Sequence, residues 1–298
     1  MSFKDVDLSK ITPDIENLHL EGLLNGNVHF TQEKNIFNPV ASIEIMSFAI
    51  NEVPLGDFMA DIQGDENLRK FGMNAYLYKD SETVLAAEGD LEVINKQTRA
   101  NFDIRMNRFN IKPFSNFGGD VITNIRGFAT GRATVVGNLT SPEINGRIFL
   151  DKSGMKVPYL NIDFDLEDNA VVDITDRNIF FRNINLTDTK YKTKSLFDGT
   201  ITHKLFSDWL LDLHINTNRF LVLDTKDAED ALYYGTAFIK GTATISGPTS
   251  GLLIKANATS EKGTSIKIPI GNSKSSGEVS HIKFLSPEEK YNIKKTKQ

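Results

Sequence analysis

The sequence predicts an all-β fold, a many-stranded and repeat-built sheet with at most one or two short helices. Three observations predict it: a period-two alternation of apolar and polar residues along most of the chain, dense turn punctuation, and an internal repeat. Alternation puts successive side chains on opposite faces of a strand, so each such strand has one apolar and one polar face.

The first alternating run is Phe102, Ile104 and Met106, with Asp103, Arg105 and Asn107 between them. Trp209, Leu211, Leu213 and Ile215 alternate with Asp212, His214 and Asn216. Leu160, Ile162, Phe164 and Leu166 form a third run, Ala243 and Ile245 a fourth, and Ile266, Ile268 and Ile270 a fifth. Gly, Asn, Asp, Lys and Pro end these runs, as in FGGD, EGD and SGPTSG, which predicts strands of about six to ten residues. One helical candidate exists, with Leu8, Ile11, Ile15 and Leu18 at helical spacing, and Pro13 limits it to a turn or two.

The repeat has two parts. GDLEVINKQTRANFDIRMNRFNI starts at Gly89 and GTITHKLFSDWLLDLHINTNRFLVL at Gly199, and both contain N-R-F, at Asn107–Phe109 and Asn218–Phe220. A glycine-led element follows each, at Gly131 and Gly241, and an earlier copy has Gly26 in that place. Each copy runs through alternating small or apolar residues to Pro39, Pro142 or Pro248. Recurrence in one order predicts stacked units that contact their neighbours. The expected organisation is one elongated β-repeat domain over 1–285, with repeat elements near 22–50, 89–150 and 199–270, and a polar Lys-rich tail over 286–298.

Composition narrows the function. The 298 residues are 40% hydrophobic and 24% charged, with 20 Phe, no Cys and a net charge of -5. That excludes a disulfide framework and gives no basic face for nucleic acid. No stretch approaches the roughly 18 consecutive apolar residues of a spanning helix. None of the five histidines forms an HxxxH or HxH pair, and no P-loop, GxGxxG or GxSxG is present, so neither an enzyme nor a cofactor or metal site is expected. His203 and His214 read as surface or pore-mouth residues, and Asp163, Asp165, Glu167 and Asp168 as a solvated strand face.

What remains is an extended sheet with a continuous apolar face. It can close on itself as a core, or curl without closing and leave a groove for acyl chains. Candidate groove residues follow from the alternation: Phe102, Ile104, Met106, Ala133, Val135, Ile148, Leu160, Ile162, Phe164, Trp209, Leu211, Leu213, Ile215, Ala243, Ile245 and Ile254. Ala256 and Ala258 also suit a floor of small residues.

Several segments carry a family likeness. VDLSKITPDIENLHLEGLLNGNVHF, INLTDTKYKTKSLFDGTITHKLFSDWLLDLHINTNRFLVLDT, ALYYGTAFIKGTATISGP and NATSEKGTSIKIPI resemble, in order and spacing, the C-terminal region of TamB (translocation and assembly module) proteins, in their Bacteroidetes-like branch. The likeness runs from about Asp5 to about Phe284. It implies a β-taco, a sheet rolled lengthwise around an apolar groove, related to AsmA-like proteins. It implies a periplasmic or cell-envelope location, inner-membrane anchoring of the whole protein, phospholipid as cargo and an outer-membrane β-barrel assembly protein as partner. It brings no catalytic residue. The family's anchor has no counterpart in this sequence, which therefore reads as an internal or C-proximal piece. The rival expectations are a scaffold for outer-membrane β-barrel proteins, and less strongly a β-helical adhesin or carbohydrate-active protein.

Overall fold

The computed structural model describes residues 1–12, 18–33, 36–119, 121–204, 207–227 and 232–269. It is one antiparallel sheet of 17 strands. The strands are β1 (Ser2–Asp7), β2 (Leu20–Glu33), β3 (Ile36–Ile50), β4 (Val53–Gly64), β5 (Lys70–Lys79), β6 (Glu82–Ile94), β7 (Gln97–Asn110), β8 (Thr123–Asn138) and β9 (Ser141–Val157). They continue with β10 (Ile162–Leu166), β11 (Ala170–Asp176), β12 (Asn178–Asp188), β13 (Lys194–Lys204), β14 (Ser207–Thr225), β15 (Tyr234–Pro248), β16 (Leu253–Ser260) and β17 (Ser265–Lys267).

Each strand from β1 to β9 pairs with its chain neighbour. β10 and β11 then share one position: β10 pairs with the end of β9 and β11 with its beginning, and both pair with β12. The meander resumes through β15, where β16 and β17 share the last position in the same way. Seventeen strands thus occupy fifteen positions. At about 4.8 Å per step they span roughly 70 Å along the sheet.

The strands correct the expected lengths. β2 to β9 run from 10 to 17 residues and β14 has 19, longer than the six to ten that turn punctuation suggested. Several residues taken as punctuation are bulges inside a strand. Register shifts fall at Ile45/Phe48, Met106/Phe109, Phe181/Ile184 and Thr217/Phe220, with Ser47, Arg108 and Asn183 at positive φ. A bulge bends its strand and increases local twist. All four lie toward the same end of the strands, and the residue after each is drawn inward: Phe109, Ile184 and Phe220 are buried and Phe48 half-buried. Two of these bulges are the recurring N-R-F. The repeat thus records a bend of the sheet, and its two long blocks are the hairpins β6–β7 and β13–β14.

Tight turns occur at both ends of the strands, Asn51–Glu52 and Asp80–Ser81 at the bulged end among them. At the end away from the bulges the described turns include a tight pair, Asn95 and Lys96, both at positive φ, the backbone of a two-residue hairpin that follows sheet twist. At the bulged end several connections are long and fold back. The 3-10 turn Lys112–Gly118 buries Pro113, whose carbonyl accepts Asn51 Nδ2 at 2.9 Å. Asn161 Nδ2 donates to the Asp224 carbonyl at 2.8 Å, and the Tyr159 and Tyr233 hydroxyls meet at 2.7 Å. The helical candidate near the N-terminus is β1 followed by a 3-10 turn at Leu8–Lys10. Ile15 of that candidate, Ile270 and the Lys-rich tail lie outside the described residues.

Two apolar clusters form where the sheet rolls. The larger holds fourteen buried residues, centred on Phe164, Ile184, Leu211, Leu213, Phe220, Leu221 and Phe238. Phe164 stacks on Phe220 with centroids 5.2 Å apart, although β12 and β13 separate their strands in the sheet. The smaller holds three, Leu55, Leu77 and Phe109. Most of the closed core therefore belongs to β9–β15.

Candidate functional site

Strand register assembles the inner face. One row of directly paired residues runs Val6, Leu24, Ile45, Phe58, Leu77, Leu85, Met106 and Gly131. It continues through Ile148, Val172, Phe181, Gly199, Leu213, Ile245 and Ile254. All fifteen positions are apolar or glycine. A parallel row runs Gly26, Ile43, Ala60, Ala75, Ala87, Ile104 and Ala133, then Gly146, Ile174, Ile179, Ile201, Leu211 and Gly247, again with no polar side chain. A third covers β2–β9 as Val28, Ala41, Ile62, Met73, Gly89, Phe102, Val135 and Ile144. Near-continuous apolar rows across so many strands cannot come from one packed helix or loop; they describe a strip.

Glycine has a steric role in this strip. Gly199 has φ +142°, and a Cβ built there would lie 2.2 Å from the Asp212 carbonyl oxygen. At Gly131 the same atom would lie 2.3 Å from the Arg147 carbonyl. Neighbouring backbones approach too closely at these points for a side chain.

Ten of the sixteen residues chosen by alternation lie in these rows: Phe102, Ile104, Met106, Ala133, Val135, Ile148, Leu211, Leu213, Ile245 and Ile254. Ile215 and Ala243 pair with each other one row further, and Trp209 follows Leu211 by alternation. Leu160 is a correction, because it sits in the 3-10 turn Pro158–Leu160 rather than on a strand. Ile162 and Phe164 are buried in the larger cluster with Leu211 and Leu213. Ile254 is 52% exposed, and every residue of β16, Ala256 and Ala258 included, is exposed. Alternation did not find the row Ala60, Ala75 and Ala87, three alanines abreast on β4–β6. The run Ala86-Ala87 before Gly89 was its only trace in the sequence.

Polar groups mark the margins. Arg126 on β8 reaches over β9 to Asp163 at 2.7 Å and Asp165 at 2.5 Å on β10. Burial opposes its charge, yet the two carboxylates outweigh that and raise its pKa. The acidic run is therefore partly a cross-strand clamp, which corrects the expectation of a plain solvated face. His203 corrects another: it is 6% exposed, with its ring centroid 5.2 Å from that of Trp209. Burial pushes its pKa down, Asp176 pulls it up and Arg177 adds to the depression. His214 is exposed beside Asp212 at 3.5 Å. Among the described residues no group of three or more His, Cys, Asp or Glu could hold a metal ion, and no helix is long and apolar enough to cross a membrane.

Comparison with known families finds a likeness over part of the chain. Residues 182–298 match the family model of the TamB C-terminal domain. This stretch, about two-fifths of the chain, is similar to that domain. The match begins within β12 and takes in β13–β17, so it includes Ile184, Leu211, Leu213, Phe220, Leu221 and Phe238 of the larger cluster, but not Phe164, and the exposed strand β16. The first apolar row continues from the matched stretch through β11 to β1. No curated protein and no solved structure matches the chain.

Proposed function

We propose that the chain is a periplasmic segment of a TamB-like protein that shields phospholipid acyl chains on its apolar inner face during transport between inner and outer membrane. The observation that carries this reading is the uninterrupted row of apolar residues and glycines across all fifteen strand positions. A sheet needs one apolar side to fold, but it does not need that side to be uniform from end to end. A uniform strip offers a sliding acyl chain the same environment at every step, and each CH₂ removed from water gains about 0.8 kcal/mol.

The inner face supports one location more than others. On β9–β15 it is packed shut, with Leu211 and Leu213 at 5% and 6% exposure. On β4–β8 Ala60, Ala75 and Leu77 are buried at 3%, 5% and 2% exposure, whereas Phe102, Ile104 and Met106 on β7 are only half-buried. Acyl chains would lie there. The protein acts by binding and not by chemistry, and needs no cofactor.

A second reading rests on a different observation. β16 is exposed along its whole length, and among the described residues no strand pairs with its outer edge. Such an edge can template an incoming strand, which suits a scaffold for outer-membrane β-barrel proteins, with a β-barrel assembly protein as partner.

The test is lipid mass spectrometry on the purified chain beside Phe102→Asp and Ile104→Asp. These sites lie outside the larger core, so the variants are expected to retain strand circular dichroism. The carrier reading expects bound phospholipid on the wild type and loss of it in both folded variants. A folded wild type that carries no lipid, and acquires none from phospholipid vesicles, would overturn it and leave the scaffold reading.

A further inference from the structure

The outer face holds a row that the acyl-chain reading does not use. Arg105, Arg132 and Arg147 stand directly opposite one another on β7, β8 and β9. Side chains so placed have Cβ atoms about 4.5–5.5 Å apart, and like charges there cost stability. The flanking residues are relieved: Arg105 pairs with Glu88. Arg147 binds Asp173 through Nε at 2.6 Å and Nη2 at 3.1 Å, and Asp173 also accepts Arg182 Nε at 3.1 Å. Arg132, in the middle and exposed, has no ion pair or hydrogen bond among the described residues.

The surroundings sharpen this. Net charge is -5, so the cluster runs against the average of the chain. Along the same row, Glu44 and Tyr76 lie to one side of the arginines and Asp173 and Thr200 to the other. Asp103 stands on one side of Arg132, opposite Thr134. On the other side is Thr130, whose Oγ1 accepts the Arg108 N–H at 3.0 Å and so keeps its own proton free to donate outward. Arginine presents a planar fork of donors that matches the oxygens of phosphate.

We propose that Arg132 is the centre of an oxyanion site on the outer face, which takes a phosphate ester group between its guanidinium, those of Arg105 and Arg147, and the Thr130 hydroxyl. The group could be carried by a lipid headgroup or by a soluble phosphate ester. The chemistry is shared, and the probes separate the sources. Thermal unfolding and amide NMR shifts would be followed on the whole chain with inorganic phosphate and with pyrophosphate, against chloride at equal ionic strength. Arg132→Gln would be run in parallel. The expected result is a saturable rise in Tm, with shifts centred on residues 130–134 and 147, and at least a tenfold weaker response in the variant. Without phosphate, Arg132→Gln should melt no lower than wild type, since it removes two like-charge neighbours. Co-sedimentation with phosphatidylglycerol vesicles, in addition, would assign the site to headgroups; a response to the soluble ions alone would assign it to soluble esters. A phosphate response equal to that of chloride, or equal in Arg132→Gln, would overturn the proposal.

Discussion

Removing the Asp188 carboxylate should destabilise the C-terminal half by about 3 kcal/mol, the upper part of the range for buried donors left without their acceptor. Asp188 has 0% exposure. Its carboxylate accepts the N–H groups of Lys190 at 3.1 Å, Tyr191 at 2.5 Å and Thr193 at 2.6 Å, and the Thr193 hydroxyl at 2.5 Å. The Thr193 Oγ1 in turn accepts the Leu221 N–H at 2.9 Å. One carboxylate thus closes the β12–β13 turn and ties it to β14. In Asp188→Ala the Lys190 and Tyr191 amides, which are only part-buried, can find water. The Thr193 groups are buried and cannot, so most of the cost arises there. Thr193→Val removes only the hydroxyl link and strands the Leu221 amide, at about 1–3 kcal/mol. Urea unfolding of both single variants and the double variant forms a cycle, and the shared network predicts non-additivity above about 0.5 kcal/mol. A loss below about 1 kcal/mol for Asp188→Ala, or strict additivity, would refute the reasoning.

Gly199→Ala should cost about 2 kcal/mol or more, because the new Cβ meets the Asp212 carbonyl at a φ of +142°; urea midpoints would measure it, and a neutral substitution would mean that β13 and β14 can separate freely. Stability should also depend on His203. Its folded pKa is depressed by burial, so the unfolded state binds more protons, and stability is complete above about pH 6.5 and falls as the pH drops below it. The slope from one group is at most about 1.4 kcal/mol per pH unit, and His203→Gln should remove that part of the pH dependence in urea titrations between pH 7 and 5.

Much of the inner face was legible because alternation has only two phases and the apolar phase must face inward. Phe102, Ile104 and Met106 needed nothing more. The errors arose where the backbone leaves the two-residue period. Leu160 looked like the start of a strand because Pro158 opens a 3-10 turn that keeps the alternation for one more step. N-R-F was visible as a repeat, but a bulge has no periodicity of its own, so its meaning needed the register. Burial was the least legible property. His203 carries a polar label, yet its place between Trp209 and the roll of the sheet is set by curvature, which is the sum of many small bends.

The meander has a consequence for how the chain is made. Apart from the two shared positions, every described strand pairs with the strand before or after it, so few contacts reach beyond the neighbouring hairpin. Proteins of that kind pay little closure entropy and tend to fold quickly. A hairpin such as β6–β7 needs nothing from β13–β14 to find its register. The polypeptide can therefore acquire its structure progressively, hairpin by hairpin, as it emerges from a ribosome. The larger cluster on β9–β15, where Phe164 waits for Phe220, requires a later segment to arrive, as does the smaller one, where Leu55 waits for Phe109.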